Sequence, residues 1–139
     1  MIGRSFSLRV RLHWEDRLAT PRDLGVLGER LAARHLEARG YAILRRNFRF
    51  GHREIDLIVR RDDVVAFVEV KTRAGPGYGH PLEAITALKR REVERVARHW
   101  LRRHGHPGTL YRFDAVSVAL LRGGDPLIEH IPNAWRLGE

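Results

Sequence analysis

Two carboxylates and a lysine lie close together in this chain of 139 residues, within the runs Glu54-Ile55-Asp56-Leu57-Ile58 and Phe67-Val68-Glu69-Val70-Lys71. Both runs have the β-branched and apolar content of strands, and Asp62-Asp63 stands between them. With those two aspartates as a two-residue hairpin turn, Asp56 falls opposite Glu69 and Glu54 opposite Lys71. Side chains alternate along a strand, so Glu54, Asp56, Glu69 and Lys71 are expected on one face. Ile55, Leu57, Val59, Ala66, Val68 and Val70 are then expected on the other. A slip of one residue would set Asp56 against Val68 or Val70, so the apolar pattern itself selects the register.

Directly opposed side chains have Cβ atoms about 4.5 to 5.5 Å apart, and like charges so placed destabilise a sheet. A divalent cation gives such a pair a purpose. Mg²⁺ prefers carboxylate oxygens, keeps several waters and is usually held by one or two carboxylates plus substrate phosphate. Asp56 and Glu69 are therefore expected to hold Mg²⁺, with Mn²⁺ as substitute and the Val70 carbonyl completing the shell. Such an ion would polarise a phosphodiester and lower the pKa of a bound water. Lys71 would orient that water or stabilise the developing charge. The competing arrangement is a salt-bridge cluster in which Lys71, helped by an arginine, neutralises the carboxylates. Glu54 reads as a partner for Lys71 rather than a ligand.

The lysines are conspicuous because all but two of the 26 basic residues are arginine, the exceptions being Lys71 and Lys89. A retained ammonium is compact and can titrate, which guanidinium does not. The net charge of +9 favours a polyanionic partner, nucleic acid first. Paired carboxylates also serve glycosidases, but the adjacent lysine and the positive charge argue against that use. Without cysteine there is neither a disulfide framework nor a thiolate metal site, which suits a reducing cytoplasm. No apolar run approaches the roughly 20 residues of a membrane span.

The elements that must position these residues follow from period and punctuation. Residues 1–19 alternate and carry no acid before Glu15, and are read as a basic arm or an extra edge strand; residues 20–139 are read as one domain. Thr20-Pro21-Arg22-Asp23 opens a helix expected over 21–39, stopped by Gly40. Strands are expected over 41–50, 54–60 and 64–72. A Gly- and Pro-rich stretch, 74–80, reads as a substrate flap before a helix expected over 81–103. Strands over 112–121 and 127–131 complete the order αβββαββ. On the long helix Lys89, Arg90, Arg91 and Arg95 could track a phosphate backbone, as a solvated charged face is the alternative.

These runs, with Gly28-Glu29, Arg46-Asn47, Thr72-Arg73, Lys89, Arg112-Phe113-Asp114 and Asn133-Ala134, resemble the YraN-like family of small bacterial proteins. That family is similar to the PD-(D/E)XK nucleases, particularly archaeal Holliday-junction resolvases. The resemblance covers about residues 24 to 135. It implies an α/β, restriction-endonuclease-like αβββαβ core with a mixed central sheet flanked by helices. It assigns the nuclease-motif roles to Asp56, Glu69 and Lys71, suggests Glu29 as a further carboxylate at the metal, and adds Arg73 to the DNA contacts. Arg53 departs from the pattern, since the family usually has glycine there. The expectation is a Mg²⁺-dependent endonuclease acting on structured or branched DNA, with a non-catalytic DNA-binding module as the alternative. A junction-cutting enzyme would need two sites and hence a homodimer, although no dimer face is legible in the sequence.

Overall fold

The computed structural model describes residues 20–74, 85–121 and 123–138. The expected N-terminal arm and the flap before the long helix lie outside the described residues. The first helix, α1, spans Pro21–Ala38. Thr20 caps it, its hydroxyl accepting from the Asp23 amide at 3.1 Å, and Pro21 opens the first turn, where its missing N–H is no loss. Gly40 ends it at φ 93°, a conformation that side chains disfavour.

Five strands follow: β1 Ala42–Phe50, β2 Arg53–Arg61, β3 Val64–Ala74, β4 Leu110–Leu120 and β5 Leu127–Trp135. They form one sheet in the order β1-β2-β3-β4-β5. Only β3 and β4 run parallel; the other neighbours are antiparallel. Between β3 and β4 in the chain comes α2, Ala87–His104, as a parallel pair requires a long connection. This helix starts later than its apolar pattern suggested. Thr86 is its N-cap and accepts from the Lys89 amide at 3.2 Å, while Ile85, read as helical, is buried ahead of it.

The α/β class and the αβββαβ order with flanking helices are those expected. Alternate residues of β3 feed two cores. Ala66 and Val68 pack beneath α1 with Leu31, Leu36, Leu57 and Val59, whereas Val65 and Phe67 pack beneath α2 with Val93, Val96 and Trp100. Burying side chains of this size stabilises the fold by about 1.5 to 3 kcal/mol each. The last strand is longer than expected. Pro132-Asn133 resembles a strand end, yet a bulge at Asn133, φ 53°, lets pairing resume as Phe113 meets Trp135. Trp135 is buried and stacks on Phe113, ring centres 5.2 Å apart.

Candidate metal centre

The hairpin register is the expected one over its regular length, from Arg61 paired with Val64 to Leu57 paired with Val68. The pairs recorded for β2 and β3 end there, one step short of Asp56 and Glu69. Beyond that point a side chain takes over from the main chain, as Asp56 Oδ2 accepts the Val70 amide at 2.8 Å. On the other side of β2, Arg46 pairs with Leu57 and Phe48 with Ile55. Asn47, between them in register with Asp56, adopts the left-handed conformation at φ 49°.

Alternation breaks at this point, which corrects one expectation. Ile55 does not share a core with Leu57 and Val59; it packs beneath α2 with Ile58 and Phe67. A local distortion lets residues three apart fall on one face. The separating strands open a cleft of about 310 Å³. Its wall takes Glu29, Leu24 and Gly25 from α1, Asp56 from β2, Glu69, Val70, Lys71 and Thr72 from β3, and Lys89 from α2. Both lysines of the chain therefore line one cleft.

Glu69 is only 2 % exposed. Lys89 Nζ stands 3.4 Å from its Oε2, and that buried oxygen has no hydrogen-bond partner among the described residues. Burial, then the neighbouring charge of Glu69 and a hydrogen bond shared with it, holds the Asp56 carboxyl well above its ordinary range; the Val70 amide and Lys89 oppose the shift. Burial alone would lower Lys89, but Glu69 and Asp56 more than reverse it and its ammonium is held more firmly. Glu29 is raised by burial, against a bond from Asn47, with the charges of Asp56 and Glu54 adding to the rise. That bond runs from Asn47 Nδ2 to Glu29 Oε1 at 2.7 Å.

Among the described residues no three acidic or histidine side chains close into one metal-binding group. A site here would be built on the two carboxylates Asp56 and Glu69, with Glu29 lining the same cleft. Hard oxygen donors, a buried oxygen without a hydrogen bond and a carboxyl that resists ionisation together fit a small divalent cation.

The other expected residues divide. Lys71 lines the cleft without a partner among the described residues. Glu54 does not meet Lys71; it turns to β1, where Arg49 Nε reaches its Oε2 at 3.1 Å. Arg53, unusual at its position, forms an ion pair at 3.6 Å with Glu92 of α2. Arg73 is half-buried and has interactions within the chain. Arg90 is half-buried, donating to the Ile85 carbonyl at 3.2 Å and lying over the Trp135 ring at 5.8 Å. Arg91 and Arg95 are exposed.

Two features escaped sequence reasoning. Asn47 ties Glu29 of α1 to β1, and the only signal for it was the Arg46-Asn47 pair. Asp114, fully buried, accepts from Arg112 Nε and Nη2, both at 2.8 Å, and from the Asn133 amide at 2.9 Å. His130 Nε2 lies 2.8 Å from it, and Arg112 also reaches the Tyr41 hydroxyl at 2.8 Å. This network clamps β4 and β5 to the start of β1.

Comparison with known proteins bears on the whole core. Residues 28–118 match the sequence profile of an uncharacterised protein family, UPF0102. A UPF0102 protein of Rhodococcus jostii is 46 % identical over 112 residues, 81 % of this chain and 95 % of that protein. One from Geobacter sulfurreducens is 45 % identical over 114 residues, covering 82 % and 89 %. One from Chlorobaculum tepidum is 42 % identical over 124 residues, covering 86 % and 96 %.

Proposed function

Because the chain belongs to the UPF0102 family, the YraN family, and carries that family's core around an acidic cleft, we propose that it is a metal-dependent endonuclease hydrolysing phosphodiester bonds in DNA. The observation that carries this reading is the meeting of half-buried Asp56 and buried Glu69 in one cleft with Lys71 and Lys89, the chain's only lysines. A glycosidase has no use for two ammonium groups beside its carboxylates, whereas a phosphodiester transition state concentrates negative charge that such groups stabilise.

Asp56, Glu69 and the Val70 carbonyl would hold Mg²⁺, which Mn²⁺ can replace. When bound, the ion supplies Lewis-acid polarisation of the phosphate and a more acidic water. Lys71, without a partner among the described residues, donates to a non-bridging phosphate oxygen or to the attacking water and so fixes the line of attack. Lys89 balances the carboxylates from α2. Glu29, held by Asn47 and reluctant to ionise, is placed to accept a hydrogen bond from water at the rim. Exposed arginines of α2 hold the backbone.

A second reading is favoured by one observation, the Lys89–Glu69 ion pair. It partly neutralises the carboxylates without metal, as a DNA-binding module on a nuclease scaffold would. Among the described residues no helix is long and apolar enough to cross a membrane. A cleavage screen over flaps, junctions, nicked duplexes and single strands, with Mg²⁺ or Mn²⁺, separates the two readings. Cleavage lost in Asp56→Ala, Glu69→Ala and Lys71→Ala supports the nuclease. Salt-dependent binding that persists in those variants, with no substrate cut by the parent protein, supports the module.

A further inference from the structure

The kink at Asn47 has an effect on the far side of β1. It turns Phe48 toward the face covered by α2, where it packs against the second core, and Phe50 follows two residues on. Phe50 remains 39 % exposed at the strand end. It stacks on His99 of α2 with ring centres 3.9 Å apart and planes 13° from parallel. Phe48 stacks on the same imidazole at 6.2 Å, and the Arg45 guanidinium lies 5.2 Å over the Phe48 ring. An exposed aromatic surface thus sits beside the sheet edge.

Cations frame it. Arg91, Arg95, Arg98 and Arg102 are all exposed, and their spacing of four, three and four residues draws one stripe along α2. None of the four has a hydrogen-bond or ion-pair partner among the described residues. Arg95 and Arg102 flank His99 on the helix surface, one turn to either side. Lys89, in the cleft, lies ten residues before His99, about 15 Å along the helix axis. The Arg53–Glu92 ion pair crosses from β2 to α2 between them.

We infer that Phe50 and His99, with the arginine stripe, form a stacking platform for an unpaired nucleic-acid strand leading into the cleft. The argument rests on complementarity. Unpartnered guanidinium groups at helical spacing suit a polyanion and suit an apolar protein surface poorly. An exposed aromatic ring among them matches the faces of bases, which only an unpaired strand presents, since a duplex offers edges and phosphates. The substrate class is then DNA with a single-stranded segment a few nucleotides from the bond attacked. This deepens the nuclease reading and depends on it for the direction of the strand, though binding is measured separately from cleavage.

The experiment measures binding of a single strand of about 15 nucleotides carrying 2-aminopurine, and of a duplex of equal length, in EDTA at two salt concentrations. The full chain is compared with Phe50→Ala, Phe50→Leu, Phe50→Trp and Arg95→Ala/Arg98→Ala. Leucine keeps apolar bulk without a π-face, so a folding defect in the alanine variant does not decide the matter. The parent protein should quench 2-aminopurine on binding. Phe50→Leu should weaken single-strand binding about tenfold, leave duplex binding unchanged and abolish the quenching, whereas Phe50→Trp should bind both substrates and quench as the parent protein does. The arginine variant should weaken both substrates and flatten the salt dependence.

Equal affinity of Phe50→Leu and parent for single strands would overturn the platform, as would equal loss on both substrates. Cleavage of structured DNA without any single-strand preference leaves the nuclease reading standing and removes the platform. Quenching and selectivity in a protein that cuts nothing with Mg²⁺ or Mn²⁺ does the reverse.

Discussion

The Asp56 carboxylate accepts the Val70 amide at 2.8 Å, reaching across the hairpin to a residue one past Glu69. Asp56 is thus a strut of the sheet as well as half of the acidic pair, and two substitutions separate these roles. Asn keeps an acceptor for the amide and removes the charge; Ala removes both. Asp56→Asn should abolish metal-dependent cleavage while remaining at least as stable as the parent protein in EDTA. Asp56→Ala should also lose cleavage and be less stable by about 1 to 3 kcal/mol, because a part-buried amide loses its partner. Urea unfolding monitored by circular dichroism checks the difference, and equal stability of the two variants would count against the strut.

The pH dependence of stability follows from the same carboxyl. Its pKa in the folded chain lies above the ordinary 3.8, so between those values the folded state binds more protons than the unfolded one. Stability from this group is therefore fully present below about 4 and declines as pH rises through its folded-state value. Glu29 is raised as well and acts in the same direction. In EDTA the parent protein should lose stability relative to Asp56→Asn on passing from acid toward neutral pH, and Mg²⁺ should restore it by binding the ionised pair. Parallel stability curves for the two proteins would refute the shift.

The hairpin was legible because its information is local. Asp62-Asp63 marks the turn, the apolar residues set the phase, and Asp62 does take a turn conformation at φ 54°. Thr20 and Pro21 declared the start of α1 in the same way. The kink was not legible, since alternation assumes an unbroken strand and its cause lies in a left-handed Asn47 on a different strand. That is why alternation alone puts Ile55 on the wrong face and sets Glu54 against Lys71. Lys89, near the start of its helix, is expected close to the hairpin mouth, but its ion pair with Glu69 is not legible, because periodicity shows the face of a helix and not what it packs against. Asp114 reads as the entry to a strand, while its partner His130, and the Tyr41 hydroxyl that its partner Arg112 also reaches, come from elsewhere in the chain.

Gly28 is where α1 meets β3. A Cβ there would overlap Thr72 Oγ1 and lie 2.7 and 2.8 Å from the Thr72 Cβ and Cγ2. Gly28→Ala should lift the helix, carrying Glu29 with it, and destabilise the chain by about 1 to 3 kcal/mol. Thr72→Ala in the same chain should recover part of that loss, because it removes two of the three crowding atoms. Thermal unfolding of the single and double variants tests this; a double variant no more stable than Gly28→Ala places the strain elsewhere.

Asp114 carries the opposite pH sign to Asp56. Burial would raise it, but His130, Arg112 and the Asn133 amide outweigh burial and hold it below 3.8. Its stabilisation is present above about 4 and is lost as pH falls through the depressed value. Asp114→Asn leaves Arg112 without its bidentate partner and should cost about 3 to 5 kcal/mol at neutral pH. The deficit should shrink in acid, where the parent protein also protonates. A pH-independent deficit in chemical unfolding would show that the carboxylate charge is not what holds β4 to β5.

Lys89 and an incoming cation compete for the same charge on Glu69, from which the ammonium stands 3.4 Å away. Removing that positive charge leaves the acidic pair uncompensated and makes it a stronger site for a divalent ion. Lys89→Met should therefore bind Mn²⁺ about tenfold more tightly in calorimetry without DNA, a modest fraction of the Coulomb energy available at that distance in a partly buried site. The same variant should cut more slowly, because a cation facing the phosphate has been lost. Lys71→Met should slow cleavage with a smaller change in Mn²⁺ affinity, since among the described residues it is Lys89 that pairs with Glu69. Unchanged or weaker Mn²⁺ binding by Lys89→Met would mean that Glu69 is not a ligand, and that the ion pair is the resting purpose of the cluster.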